Sequence, residues 1–306
     1  MKFTLTPDGP LDVSATLARY RIWGEDPANR VDGDILRRVL RDDRRLVPYE
    51  VRSEGTEEHP RLAIQALGAG SPRVIAAITQ EVRALFGLDF DLVGFYRMAK
   101  ADPVLAGLAE RLYGLRPTLA PTAWEMLVGA ICAQQVNLTF AYTLRARLVR
   151  RWGVRTTIGG QSVWAFPEPS ALARARLSAL GAMQFSRGKA LAIQGVARAL
   201  DSGGLDPRRL AEASDVQIIE QLTALRGLGR WTADWFLARC LGRGAVCPAG
   251  DLGVRKAFAR YYGRGRSANE ETIRRRARTW GSYQNLAIHY LLAGMRLGAR
   301  PGGGGT

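Results

Sequence analysis

Three cysteines, two histidines and four lysines in 306 residues are the scarcities that bound this chain. Cys132, Cys240 and Cys247 are odd in number and sit in apolar or mixed surroundings, so reduced core thiols are expected rather than a disulfide framework. Cys240 and Cys247 have no second pair, and no cysteine follows Cys247, so neither a zinc site nor an iron–sulfur cluster is expected and no cofactor is required. His59 and His289 lie far apart, and both read as structural. No apolar run approaches the roughly 18 residues of a membrane span. The opening MKFTLTPDGP lacks the apolar stretch of a secretory signal. A monomeric cytoplasmic protein with no membrane partner is expected, nucleoid-associated if bacterial. Because lysine is rare, the positive charge falls on arginine.

What is present is basic and large enough for two cores. Forty-four basic against 28 acidic residues give a net charge of +16. Such a field favours a polyanion, nucleic acid or an acidic membrane surface, although an arginine-biased proteome would give the same excess. The character of the chain changes near residue 90. Short β-like runs at 3–5, 46–51 and 61–67 mix with turn signals such as Pro7-Asp8-Gly9. Asp12 is a candidate cap for a helix over 13–23. Val74, Ile75, Ile78, Val82 and Leu85 recur at helical spacing after Ser71-Pro72. Beyond Asp91 almost every segment reads helical, with helices expected over 121–132, 137–152, 188–200, 215–225, 231–241, 252–262 and 270–297.

The stretch from Leu222 to Asp251 carries the chemistry. It reads as helix, Gly227-Leu228-Gly229 hairpin, helix, Pro248-Ala249-Gly250 turn, and a single carboxylate, Asp251, opening a third helix. Consecutive backbone N–H groups at a glycine turn that leads into a helix make an anion seat. One such seat holds one phosphate without reading sequence. An ordinary helix–helix turn would show the same two glycines. Trp231 and Trp235, one turn apart, share a face, either as an aromatic surface or as a core stripe. Asp251 is either a catalytic carboxylate or a helix cap.

Leu225-Arg226-Gly227-Leu228-Gly229-Arg230-Trp231-Thr232-Ala233, followed by Pro248-Ala249-Gly250-Asp251, resembles the helix-hairpin-helix (HhH-GPD) signature of DNA repair glycosylases. Within that superfamily the chain looks most like the 3-methyladenine DNA glycosylase II (AlkA-like) branch, and the resemblance covers nearly its whole length. Phe95-Tyr96, Ala101-Asp102-Pro103-Val104-Leu105, Ile131-Cys132-Ala133-Gln134-Gln135-Val136, Ser186-Arg187-Gly188-Lys189-Ala190 and Trp280-Gly281-Ser282-Tyr283 carry it further. It implies an α+β protein, with an N-terminal β-rich (TBP-like) domain at 1–93. A mostly α-helical, two-lobed HhH-GPD module follows at 94–300. Its lobes are 118–245 and 94–117 with 246–300, and a disordered tail follows at 301–306.

The same resemblance implies roles. Double-stranded DNA with damaged bases would be the partner, touched by Gly227, Gly229, Arg230, Gln134, Gln135, Val136 and Lys189. A flipped base would sit among Trp231, Trp235, Trp280 and Tyr283, since the glycosidic carbon cannot be reached within the stack. An alkylated purine carries positive charge, which indole faces attract. Asp251 would stabilise the oxocarbenium-like sugar and orient water. Members that also cut the strand carry a Schiff-base lysine on the second hairpin helix, where this chain has Trp231. Hydrolytic excision of alkylated purines without strand cleavage is therefore expected. The branch pattern places an apolar wedge where Gln135 stands here, with Val136 the alternative. Backbone carbonyls of Thr223, Leu225 and Leu228 are the implied seat of a monovalent cation. A glycosylase for hypoxanthine or ethenoadenine, or a non-catalytic protein that recognises damaged DNA, would use the same charge, hairpin and tryptophans.

Overall fold

The computed structural model describes residues 1–42, 45–68 and 70–296. The expected tail at 301–306 and the end of the module beyond 296 lie outside the described residues. Five strands, β1 (Lys2–Leu5), β2 (Arg30–Asp32), β3 (Ile35–Asp42), β4 (Arg45–Gly55) and β5 (Pro60–Ala66), form one antiparallel sheet in the order β1-β5-β4-β3-β2. In β5 alternate residues Leu62, Ile64 and Ala66 are buried, the period-2 pattern of a sheet with one wet face. The helix Pro72–Leu85 lays Val74, Ile78, Val82 and Leu85 into the same core. The Ser71 hydroxyl accepts the Val74 N–H at 3.3 Å and fixes where that helix starts. The helix expected over 13–23 is split at Ala18 into Val13–Leu17, capped by Asp12, and Arg19–Ile22.

β3 breaks the one-wet-face rule, because Leu36 to Leu40 are buried on both faces. Its second face is covered from the other half of the chain. A hairpin of β6 (Val154–Ile158) and β7 (Gln161–Ala165) packs Ile158, Val163 and Ala165 against Val39 and Leu46. This hairpin is an exception to the mostly helical reading beyond Asp91. Gly159 and Gly160, at φ +56° and +71°, form the two-residue turn that matches strand twist.

Buried charge ties the halves further. Arg38 of β3 donates to Glu81 at 3.1 Å and pairs with Glu125, on the helix Ala123–Ala133. Glu125 also accepts from Arg145, which binds Asp26 at 3.1 Å. Arg116, 1% exposed, donates to the carbonyls of Pro10, Gly87 and Phe90.

The rest of the chain shares one continuous apolar core from Leu92 to Ala293. The helices Pro103–Arg111 and Leu252–Tyr261 pack on Gln284–Arg296. The single helix expected over 270–297 is instead Glu270–Arg278, a 3-10 turn at Gly281–Tyr283, and Gln284–Arg296. The break falls where Trp280 turns inward to a buried carboxylate and Gly281 follows at positive φ.

Candidate active site and nucleic-acid interface

The hairpin is built by reciprocal capping at one end and close packing at the other. Ser214 and Gln217 exchange side-chain and backbone hydrogen bonds and start the helix Asp215–Thr223. Leu225 N–H returns to Leu222 O, and Leu228 N–H to Leu225 O, which winds the chain tightly. Gly227 has φ +87°, and a Cβ there would lie 2.6 Å from that of Ala192. Gly229 differs. Its backbone is extended, and a Cβ would meet nothing within 4 Å. Leu228 is buried while Arg226, Gly227, Gly229 and Arg230 are exposed. Gly229 caps the helix Arg230–Arg239 without a side chain, so the first-turn N–H groups face outward with the helix dipole behind them. Arg230 remains exposed, with Nε on the Asp234 carboxylate at 2.8 Å.

A second loop comes up beside the hairpin. The helices Ala123–Ala133 and Leu138–Trp152 are joined by Gln134 to Asn137, and Asn137 caps the latter. Gln134 Nε2 donates to Gly227 O at 2.8 Å, stitching the loop to the hairpin. Gln135 is exposed at φ +55°, a conformation that non-glycine residues rarely hold. Val136 turns partly into the core. Lys189 is not the surface cation expected from the sequence. Its Nζ is buried and donates to Cys132 O at 2.6 Å. Burial lowers its pKa, and its charge sits on the C-terminal carbonyls of the helix ahead of Gln134.

Asp251 stands between two indoles. Its Oδ2 accepts Trp231 Nε1–H at 2.8 Å and Trp235 Nε1–H at 3.1 Å. Oδ1 accepts the Val254 N–H at 3.0 Å and caps the helix Leu252–Tyr261. Trp231 is half-buried, whereas Trp235 is buried and meets His289 edge-on at 6.0 Å. The structure does not bring Trp280 and Tyr283 to this centre. Trp280 is buried, donates to Asp102 Oδ2 at 3.1 Å and packs on Phe258 and Tyr262, about two and three turns along from Asp251. Tyr283 donates to Asp91 Oδ2 at 2.8 Å. Both aromatics point their polar atoms at carboxylates other than Asp251.

Sequence reasoning missed a basic lining nearby. Arg296 lies over the Trp23 ring at 5.9 Å and within electrostatic reach of Asp251 and Arg19. Arg239 is buried, with Nη2 on Thr118 O and Oγ1. These residues come from separate elements and share no local signature.

A family profile for HhH-GPD superfamily base excision DNA repair proteins matches residues 128–282, about half of the chain, including the hairpin, Trp231, Trp235 and Asp251. The chain belongs to that superfamily. Its sequence is similar to the DNA-3-methyladenine glycosylase of Bacillus subtilis (strain 168), 33% identical over 214 residues that cover 70% of this chain and 71% of that one. It is also similar to DNA-3-methyladenine glycosylase 2 of Escherichia coli K12, at 27% over 230 residues and 74% of each chain. The solved structure of the 3-methyladenine DNA-glycosylase from Archaeoglobus fulgidus superposes with a TM-score of 0.86 at 27% identity, over 96% of this chain and 98% of that one. The α+β fold of a sheet domain followed by an HhH-GPD helical module is shared along nearly the whole length.

Proposed function

We propose that this HhH-GPD protein is a monofunctional DNA glycosylase. It would excise alkylated purines, 3-methyladenine above all and 7-methylguanine with it, from duplex DNA and leave an abasic site. The observation that carries this is the Asp251 carboxylate, fixed by two indole N–H groups and one backbone N–H beside an open hairpin. The relatives named as 3-methyladenine glycosylases support the substrate class. The free N–H groups after Gly229 take a backbone phosphate, Gln135 enters the gap left by the flipped nucleotide, and the half-buried Trp231 meets the cationic base. As the C1′–N bond lengthens, positive charge builds on the sugar, and a preorganised carboxylate stabilises it without reorganising. Water then adds at C1′, and an alkylated base leaves readily without a strong acid. Trp231 cannot form a Schiff base, so no strand cleavage accompanies excision.

Carbonyl oxygens of Thr223, Leu225 and Leu228 are the proposed seat of a monovalent cation that would strengthen the phosphate grip. They are neutral donors on one tight turn, and Leu225 O already takes one N–H. The test uses single-lesion duplexes. Wild type should release alkylated bases and give nicks only after alkali, while Asp251→Asn binds DNA and releases none. Nicking without alkali would refute the monofunctional mechanism, and binding without any release would leave a damage-binding protein.

A further inference from the structure

The helix Arg230–Arg239 meets the Asp251 loop through two adjacent rows of side chains. Trp231 and Trp235, four residues apart, reach the carboxylate itself. Arg230 and Asp234, also four apart, form the second row, turned about 100° from the first. Asp234 is 3% exposed, and arginine takes both of its oxygens. Oδ1 accepts from Arg230 Nε at 2.8 Å, and Oδ2 from Arg274 Nη2 at 2.9 Å. Arg274, on the helix Glu270–Arg278, also donates through Nη1 to Cys247 O at 3.0 Å. That carbonyl opens the turn that ends at Asp251. It accepts the Ala249 N–H as well, at 2.8 Å, and the Asp251 N–H returns to Pro248 O at 3.0 Å. The same helix packs closely on this turn, because a Cβ on Gly250 would stand 3.0 Å from Glu270 Oε1. At the other end, Arg230 is the exposed residue after the Gly229 seat, and its Nη1 and Nη2 make no hydrogen bond among the described residues. A path of charge-assisted bonds therefore runs from the hairpin surface through Asp234 and Arg274 to Cys247 O.

We propose that Asp234 and Arg274 are positioning residues that tie the Asp251 loop to the phosphate-gripping hairpin, so that the grip on the DNA backbone and the aim of the carboxylate form one unit. This rests on the glycosylase assignment and adds two residues that touch neither base nor sugar. Asp234 is buried, and both terminal nitrogens of Arg274 are engaged within the protein.

The division of labour follows from the bonds. The two indoles and the Val254 N–H fix the carboxyl group, whereas Arg274 fixes the main chain that delivers it. A strand held at the hairpin places its sugar at a set distance from Asp251 only if that main chain keeps its place. A misplacement of about 1 Å can cost about a hundredfold in rate. A buried carboxylate is strongly destabilised when a cation partner leaves it, so Asp234 keeps both arginines in register. Glu270, 3.8 Å from Arg274 and exposed, adds little to that hold.

Single-turnover release of 3-methyladenine, measured beside binding of an undamaged duplex, separates aim from grip in Arg274→Met. The maximal rate at saturating enzyme should fall about tenfold to a hundredfold. Affinity for the undamaged duplex, which needs only the folded hairpin, should stay within about twofold of wild type. Arg274→Lys keeps the charge and one donor, so it should recover part of the rate. A maximal rate for Arg274→Met within about twofold of wild type, or a rate and an affinity that fall together, would overturn the positioning role alone. If Arg274→Met does not fold, Arg274→Lys decides: a slower maximal rate at wild-type affinity supports the role, and any other result overturns it. A wild type that releases no base from any single-lesion duplex would overturn the glycosylase assignment with it.

Discussion

The two hairpin glycines should fail differently when each becomes alanine. At Gly227 the backbone sits at φ +87°, where an L side chain costs about 1–2 kcal/mol. The new Cβ would stand 2.6 Å from the Cβ of Ala192, far inside normal carbon contact, and the backbone shift that relieves it costs about 1–3 kcal/mol more. Gly227→Ala should therefore lose about 2–5 kcal/mol of stability. With roughly 2–4 °C per kcal/mol for a domain of this size, Tm should drop by about 4–20 °C. Gly229→Ala meets open space on extended backbone, so its cost is no more than about 1 kcal/mol of capping preference. Its methyl group, however, stands where a phosphate must approach the N–H groups. DNA affinity should fall at normal stability, and the slope of log K against log salt should shrink by about 0.9, one lost phosphate contact. Thermal unfolding and salt-dependent binding on an undamaged duplex measure both. A Gly229→Ala protein with wild-type affinity and slope would refute the phosphate seat. A Gly227→Ala protein with wild-type Tm would refute the packing against Ala192.

Arg38→Met would leave Glu81 with the Tyr49 hydroxyl and no cation and Glu125 with Arg145 alone, and should cost about 3 kcal/mol in denaturant unfolding; a loss under about 1 kcal/mol would mean Arg38 adds nothing to the network. Burial raises the Asp26 carboxyl, but Arg145 and the Asn29 amide outweigh it and leave its pKa below the ordinary value. Its stabilisation is thus complete above about pH 4 and is lost as pH falls through the lower folded value, so Asp26→Asn should flatten the acid limb of a stability–pH curve. Gln135→Gly should raise stability by about 1 kcal/mol through relief of positive φ, yet slow base release because nothing then fills the stack. Equal release by wild type and Gln135→Gly under single-turnover conditions would remove Gln135 from the flipping step.

What was legible in the sequence was local. Ser71, Asn137, Ser186 and Ser214 begin helices by capping within three residues, so their starts could be read directly. Asp251, Trp231 and the hairpin glycines fall within thirty residues, and their geometry follows from two helices and a turn. β3 was missed because Arg37 and Arg38 interrupt its apolar pattern. Both are buried beside carboxylates, and one of Arg38's partners, Glu125, lies 87 residues away. The hairpin β6–β7 is too short to outvote the helices around it. The family resemblance places Trp280 in the base pocket. Its N–H is claimed by Asp102, 178 residues back. The resemblance also places Lys189 on DNA, but its charge is spent on Cys132 O. Arg19, Arg239, His289 and Arg296 come together only when the sheet domain closes on the helices.

Asp251 shows why a structural role and a chemical one need not compete. Read alone, an aspartate after Pro-Ala-Gly is a helix cap, and it is one, through Oδ1 to Val254. That bond fixes the carboxyl rotamer, so Oδ2 has a defined place, and the two indoles then close on it from the hairpin's second helix. Each of the three donors belongs to a helix, Trp231 and Trp235 to Arg230–Arg239 and Val254 to the helix that Asp251 caps. A carboxylate tethered by water alone would have to reorganise as charge grows on the sugar; this one is already oriented. In the proposed mechanism the cap is thus part of the catalytic device. In that mechanism Trp231, at the position where the family resemblance puts the lysine of strand-cutting members, offers no amine nucleophile and supplies the N–H that aims the acid.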